Sequence, residues 1–446
     1  MALNSSLTCP RSTKLPSKVR SFVPAPIIDG IAVVLDALGI RERYVHGPHG
    51  FDPNTGIRAD VAVYFPDGAQ KLYQLTQWLP VFENHPHDLK FAIVVRKMQA
   101  FEELQGKTSL PIAHVPGYAD LMNLYRTSDF TAVVYVNNGV GNFQSLTVPE
   151  LAHVHINHGE SDKICMVSNQ AKAYDRVFVA GEAAVQRHRA ALSEFNEGLL
   201  VRVGRPQLDE HPSPSIAPSS RTTVVYAPTW AGEDEANNYT SMEEMGARIV
   251  DAILAQDKVR LIYKPHPRIK DAADSRITDN HAKVLKAIKA AQKSDPAAGH
   301  EIRETGDILA LFPLTDLLVS DVSSVCLDFL YLRPESPIVL TDRRIDIDQL
   351  RIDSPISAAT PVLTMSNIDK AADIISSVIS NDVNIENRKT LRDFYFDNVK
   401  AGESTSRFFD ALRQSIAQHS ADMQRAHALA AAGTGPKLNT PTGDVQ

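Results

Sequence analysis

Cysteine is scarce in this chain: three in 446 residues, Cys9, Cys165 and Cys326, odd in number and far apart. Such spacing excludes a disulfide framework and offers no paired metal-binding cysteines; it fits reduced thiols in a cytosolic setting. Long apolar runs are also missing. The longest, such as Ile31–Leu35 and Phe91–Val95, fall far short of the roughly 18 residues that a membrane span needs, so any membrane contact is expected to be peripheral. Met1–Arg20 mixes Ser, Thr, Pro, Lys and Arg without an apolar stretch, and no secretory signal is expected there. Positive charge is not in excess: 46 Lys and Arg against 53 Asp and Glu leave a net charge of −7. That balance argues against tracking a nucleic-acid backbone, which takes many Lys and Arg contacts to phosphate. It still allows a local basic pocket for a small phosphorylated ligand. No G-x-x-x-x-G-K-[ST] loop and no G-x-S-x-G elbow occur. Asn138-Gly139-Val140-Gly141-Asn142 is too short a glycine pattern for a dinucleotide fingerprint.

What is present is an alternation of short Val- and Ile-rich strands with amphipathic stretches. Val61–Phe65, Phe91–Arg96, Pro111–Val115, Thr131–Val136, His153–Asn157 and Arg176–Ala180 read as strands. Lys71–Phe82, Met98–Gln105 and Tyr118–Tyr125 read as helices between them. After a Pro- and Ser-rich break the rhythm restarts. Thr222–Ala227, Val259–Lys264, Leu317–Val319 and Pro337–Thr341 are strands; Met242–Ala255, His281–Ala291, Ser323–Leu332, Asn367–Ser380 and Ser404–His419 are helices. Repeated βα units imply parallel sheets covered on both faces. The expected organisation is α/β: a flexible tail over 1–25, a first Rossmann-like domain over 26–210, a linker over 211–220, a second Rossmann-like domain over 221–420, and a disordered tail over 421–446. Two doubly wound domains place a ligand in the cleft outside the carboxyl ends of their strands.

The residues able to do chemistry stand where strands end. Asp316–Phe329 runs from a short apolar strand through Ser320, Asp321, Ser323 and Ser324 into a helix. Small hydroxylated residues there leave the first helical N–H groups free, with the positive end of the helix dipole at the same spot, which is the chemistry of a phosphate cradle. The plainer alternative is a Ser-capped helix. Lys264-Pro265-His266-Pro267, followed by Arg268, ends another strand. Its prolines stiffen the turn and fix His266, which can hydrogen-bond a phosphate oxygen; a rigid exposed turn is the alternative. His158-Gly159 follows the strand His153–Asn157: imidazole suits a general base, and Gly159 lets the backbone come close to a ligand. His153, His155 and His158 also form H-x-H-x-x-H, a rival reading as metal ligands, weakened because His158 lies past the strand end. Thr229, in Tyr226–Trp230, offers a hydroxyl at the cleft. Asp346 and Asp348 read as a solvated loop and not as a metal site, so no metal and no cofactor is expected.

In this order, His158-Gly159, Ala227-Pro228-Thr229, Lys264–Pro267 and Ser320–Phe329 resemble the CDP-glycerol glycerophosphotransferase family, the polymerases and primases of teichoic acid synthesis. Pro337–Asp342 matches a further Pro, apolar stretch and Asp of the family pattern. The resemblance covers about residues 150–345. It implies a GT-B-like fold, with two Rossmann-like domains facing a cleft, 26–210 on the acceptor side and 221–420 binding the donor nucleotide. The implied reaction is transfer of glycerol phosphate from CDP-glycerol to a hydroxyl of a lipid-linked or polymer acceptor, with release of CMP. It implies His158 as the base, His266 on the donor pyrophosphate, Ser323 and Ser324 as its cradle, and Thr229, Asp321 and Asp328 as further donor-site residues. The implied location is cytoplasmic, at the inner face of the plasma membrane. There is one departure. Where family polymerases continue after His-Gly with small residues, Pro and Leu before a Lys, this chain has Glu160-Ser161-Asp162-Lys163, two carboxylates that would repel an anionic acceptor unless Lys163 compensates. Two other readings of the same residues are a nucleotide-sugar glycosyltransferase or epimerase on this fold and a non-catalytic nucleotide-binding protein.

Overall fold

Strands of this composition need apolar cover on both faces, and they find it in two separate sheets. In the computed structural model, which describes residues 56–84, 88–210, 212–344, 346–400 and 402–431, the first sheet holds β1 (Val61–Phe65), β2 (Phe91–Val95), β3 (Ile112–His114), β4 (Ala132–Tyr135), β5 (Ala152–His155), β6 (Arg176–Val179) and β7 (Leu200–Arg202). Its spatial order is β3-β2-β1-β4-β5-β6-β7, and every pairing is parallel. The second holds β8 (Thr222–Ala227), β9 (Val259–Tyr263), β10 (Glu301–Ile302), β11 (Leu317–Asp321), β12 (Ile338–Thr341) and β13 (Val362–Leu363). Its order, β10-β9-β8-β11-β12-β13, is again all parallel. In each sheet the order reverses beside the first strand, and that switch point is where such sheets open a crevice.

Alternation along β1 shows how each sheet is covered: Val61, Val63 and Phe65 enter the core on one face, Ala62 and Tyr64 the core on the other. The second sheet is likewise sandwiched, with Val225 and Ile262 on one side and Val224 and Leu261 on the other. Helices supply the cover: α1 (Tyr73–Thr76), α2 (Leu79–Asn84), α3 (Met98–Leu104), α4 (Tyr118–Thr127), α5 (Glu182–Ala191), α6 (Gly246–Leu254), α7 (Ser275–Ser294), α8 (Ser324–Leu332), α9 (Ile347–Asp353), α10 (Ala371–Ser380), α11 (Ile385–Phe396) and α12 (Glu403–Ala431). The expected α/β, doubly wound, two-sheet architecture is present.

Four expectations differ from what is observed. The single helix over Lys71–Phe82 is instead a 3-10 turn at Ala69–Lys71, then α1, then α2. Pro80 has no N–H to continue a helix from α1 but suits the first turn of α2. The Pro- and Ser-rich linker packs down: the Ser215 N–H donates to the Ala310 carbonyl at 2.9 Å, and Ile216 is buried in the second half's core. The helix expected to close at His419, ahead of a disordered tail from 421, instead runs through Ala431, because Ala426, Ala428, Ala430 and Ala431 are strong helix formers. Finally, Asp346 caps α9 by accepting from the Gln349 N–H at 2.9 Å, and Asp348 lies in its first turn. The tail expected over 1–25, the first part of the domain expected from 26, and 432–446 lie outside the described residues.

The end of the chain returns to the first half. Phe408, Phe409 and Leu412 of α12 join the core of the first sheet, where Phe408 lies 5.1 Å from Trp78 between ring centroids. At the start of that helix Ser404 packs on Gly204, whose φ of +75 and closeness to the Ser404 hydroxyl leave no room for a side chain.

Candidate active site

Three loops that follow carboxyl ends of the first sheet touch three that follow carboxyl ends of the second. After β5 the chain turns at Asn157, whose left-handed φ of 53 directs His158 sharply out of the strand. The turn is held from both sides: the Trp78 indole N–H donates to the Asn157 carbonyl at 2.6 Å, and the Asn157 side-chain oxygen accepts from the His158 N–H at 2.8 Å. Gly159 then lies against the start of α8; a Cβ on it would stand 3.3 Å from the Ser324 Cβ. His158-Gly159 and the Ser323-Ser324 helix start thus meet face to face.

The two histidines hold their protons on opposite nitrogens. His158 Nδ1 faces the Val136 carbonyl at 3.3 Å; a carbonyl only accepts, so Nδ1 carries the proton. Its Nε2 faces the Gln74 side-chain amide at 3.5 Å and presents a lone pair. Gln74 is oriented in turn, since its oxygen accepts from Asn137 Nδ2 at 2.8 Å, and Asn137 also donates to Asp67 at 3.0 Å. His266 is the reverse: its Nδ1 accepts from the Arg268 N–H at 3.2 Å, so Nε2 carries the proton as a donor. His158 keeps part of its surface open, but enclosure of its ring, and then the Arg205 charge, lower its pKa to about 4. Burial, followed by the cationic Lys163, Arg268 and Lys264, takes His266 to about 3. Both are neutral near pH 7, one an acceptor and one a donor. Each ring centroid is 6.0 Å from that of Tyr73, so the two lie no more than twice that distance apart. A separation of more than about 15 Å would have put them beyond joint action on one substrate.

Around His266 the surroundings are basic and stiff. It stacks on Trp230 at 5.9 Å, and the Arg268 guanidinium lies 3.7 Å over the same indole. Lys264 is buried, and desolvation lowers its pKa. From the other half, Lys163 donates to the Thr229 hydroxyl at 3.0 Å. At α8, Ser323 holds the capping position with its side chain turned away from the cap, its hydroxyl 3.4 Å from that of Ser320. The first N–H groups of α8 are therefore not capped by Ser323.

Three of the expected ligand contacts face inward instead. Ser320 is fully buried and donates to the Ala227 carbonyl at 3.0 Å. Asp321, also fully buried, accepts from the Thr229 N–H at 2.6 Å, the Ser241 N–H at 3.2 Å and the Thr341 hydroxyl. Its carboxylate, pushed up to about pKa 6 by burial, pins the Ala227-Pro228-Thr229 turn. Asp328 pairs with Arg205, which donates to it at 3.0 and 3.2 Å from one terminal nitrogen and at 3.2 Å from Nε. The remaining Arg205 nitrogen donates to the His158 carbonyl at 3.2 Å and to Gln207 at 3.0 Å. This guanidinium ties the His158 loop to α8, and sequence reasoning missed it; the only signal was Gly204-Arg205-Pro206 just past a strand. Tyr73 and Gln74 were missed as well, being hidden in a helical pattern.

The departure at Glu160 and Asp162 resolves in the same way. Glu160 pairs with Arg187, and Asp162 accepts from Arg187 at 2.8 Å, the Ser354 hydroxyl at 2.9 Å and the Tyr395 hydroxyl at 2.5 Å. Both carboxylates are buried and face Arg187. The rival metal reading of H-x-H-x-x-H does not assemble: His153 uses both ring nitrogens, on the Tyr135 hydroxyl and the Val148 carbonyl, each at 2.8 Å, and His155 stacks on Tyr174. Among the described residues, no three His, Cys, Asp or Glu side chains gather as a metal site, and no helix is long and apolar enough to cross a membrane.

Residues 195–412 match the family model described as CDP-Glycerol:Poly(glycerophosphate) glycerophosphotransferase. That stretch, just under half of the chain, is similar to this family. It takes in Thr229, Lys264–Pro267 and Ser320–Phe329 and leaves His158-Gly159 outside, and it marks a glycerophosphotransferase-type enzyme. No curated protein matches the chain. Among solved structures, the wall teichoic acid polymerase TagF aligns with a TM-score of 0.52 at 14% identity, over 88% of this chain and 97% of that one. The S. aureus MnaA–UDP complex aligns with a TM-score of 0.52 at 11% identity, over 85% and 99%. The UDP-GlcNAc 2-epimerase from Neisseria meningitidis, bound to UDP-GlcNAc, aligns with a TM-score of 0.51 at 9% identity, over 80% and 100%. At these identities the likeness is one of fold, and that fold is GT-B-like.

Proposed function

We propose that this enzyme transfers glycerol phosphate, or a similar alditol phosphate, from CDP-glycerol to a hydroxyl of a lipid-linked or polymer acceptor, releasing CMP. The acceptor would be presented at the inner face of the plasma membrane. The observation that carries the reading is the pair of neutral histidines with opposite tautomers, set across one cleft beside the open start of α8. In the reaction, His158 Nε2 takes the acceptor proton as the hydroxyl oxygen attacks the glycerol-bearing phosphorus. The bond between that phosphorus and the bridging oxygen breaks, and CMP leaves with the bridging oxygen. Charge that builds on CMP meets the His266 Nε2–H, Lys264 and the first N–H groups of α8. Lys163 and Thr229 close the same pocket, whereas Ser320, Asp321 and Asp328 act by holding its walls. Phosphoryl transfer asks mainly for positioning and for stabilisation of charge, which this arrangement supplies.

The test is a panel of CDP- and UDP-activated donors, following nucleotide release with and without a glycerol-phosphate primer. CMP release from CDP-glycerol that is lost in His158→Ala and His266→Ala supports the reading. Turnover or binding of UDP-sugars alone overturns it in favour of a sugar-nucleotide enzyme.

A further inference from the structure

One aromatic side chain packs against both histidines. Tyr73 belongs to α1, a single turn on the loop that follows β1, and its ring stands perpendicular to both imidazoles, 86° to each, at 6.0 Å from each centroid. Neighbouring Leu72 and Leu75 are buried, while Tyr73 is 37% exposed. The leucines anchor the turn, while the aromatic side chain keeps an exposed side and packs edge-on against the two imidazoles. Its hydroxyl lies 3.4 Å from the Gln74 amide nitrogen, the same nitrogen that faces His158 Nε2 at 3.5 Å. The phenolic hydroxyl and His158 Nε2 therefore share one neighbouring amide nitrogen.

We propose that Tyr73 is a gate on His158: its ring shields the base from water, and an acceptor displaces it to reach the base. The inference rests on the assignment of His158 as base in the function proposed above. Its value to the enzyme is specificity for an alcohol over water. Water is smaller than any acceptor and can attack the same phosphorus: its oxygen bonds to the phosphorus, the bridging oxygen departs with CMP, and the water proton passes to His158, so the donor is wasted as free glycerol phosphate. A group that covers the base until a larger hydroxyl compound pushes it aside suppresses that route. Tyr73 positions and screens; it takes no proton in either reaction.

The test has two readouts on the full chain. The first is the rate at which diethyl pyrocarbonate labels His158, measured by peptide mass and requiring no turnover. Tyr73→Ala is expected to raise it several-fold, and Tyr73→Phe, which keeps the ring, to leave it near the wild-type rate. The second is CMP release from CDP-glycerol without acceptor, which Tyr73→Ala is expected to raise relative to acceptor-dependent release. Tyr73→Leu is the fallback should the alanine variant fold poorly. An unchanged labelling rate on removal of the ring overturns the gate, whatever the donor is. A raised labelling rate with hydrolysis unchanged or lowered relative to transfer overturns its role against water. A raised labelling rate with no CMP released from any CDP donor supports the shield and rejects CDP-glycerol transfer.

Discussion

Replacing Asp328 with Ala decides whether this carboxylate holds the site together or touches the donor. Arg205 and Asp328 are 5% and 7% exposed, and every guanidinium nitrogen already has a partner. Removing the carboxylate leaves a buried cation with the donors of two nitrogens facing nothing. Breaking a buried pair in this way costs about 3–5 kcal/mol, whereas replacing both partners by apolar groups of similar volume is close to neutral. Asp328→Ala should therefore lose about 3–5 kcal/mol in urea unfolding, and the double variant Arg205→Met, Asp328→Leu should recover most of it. Asp328→Asn, which still accepts hydrogen bonds but has no charge, should fall between, losing about 1.5–3 kcal/mol. Because Arg205 also holds the His158 carbonyl, kcat should drop along with stability. A loss under about 1 kcal/mol for Asp328→Ala, or a double variant no more stable than the single one, refutes the argument. A raised KM for the donor with unchanged stability would return Asp328 to the donor pocket.

Three further outcomes are expected. The acid limb of kcat/KM should lie near pH 4, because a base whose pKa is depressed to about 4 stays deprotonated down to that pH and is lost only below it; a limb at the ordinary histidine value near 6.5 contradicts the tautomer and burial described here. Gly159→Ala should lower kcat roughly tenfold with little change in unfolding, since its Cβ would meet the Ser324 Cβ at 3.3 Å and shift the loop against the helix; an unchanged kcat removes the steric explanation. Arg187→Met should cost about 3–5 kcal/mol by leaving Glu160 and Asp162 buried without their cation, with KM for the acceptor unaltered; a changed acceptor KM would mean that these carboxylates face the cleft after all.

The strands were legible because each is a short Val- and Ile-rich run, buried on both faces between turn residues, and β1 and β8 have the bounds read from the sequence. The strands missed, β7, β10 and β13, have only two or three residues and incomplete burial, too little for a pattern. Site positions were legible as well, because chemistry in such sheets gathers at carboxyl ends. Roles were harder to read, since a carboxylate's partner decides what it does. Asp328 finds Arg205 123 residues away, and Asp162 finds Tyr395 233 residues away. Nothing in the local sequence distinguishes these aspartates from ones that meet a ligand. Tyr73 was hidden for a related reason: it lies between the anchoring Leu72 and Leu75, and a periodic pattern does not say which way the residue between them looks.

The return of α12 to the first sheet has a consequence for how the protein is made. Phe408, Phe409, Ala411 and Leu412 fill a core whose other members lie between Val61 and Val203. During synthesis the first half therefore waits, with Trp78 and Phe82 lacking part of their cover, until Leu412 has left the ribosome. The second half, although made later, has a core drawn mainly from Leu208–Phe396 and is complete before its elder neighbour. Vectorial synthesis thus reverses the order of maturation, and the earliest-made sheet is the last to be sealed.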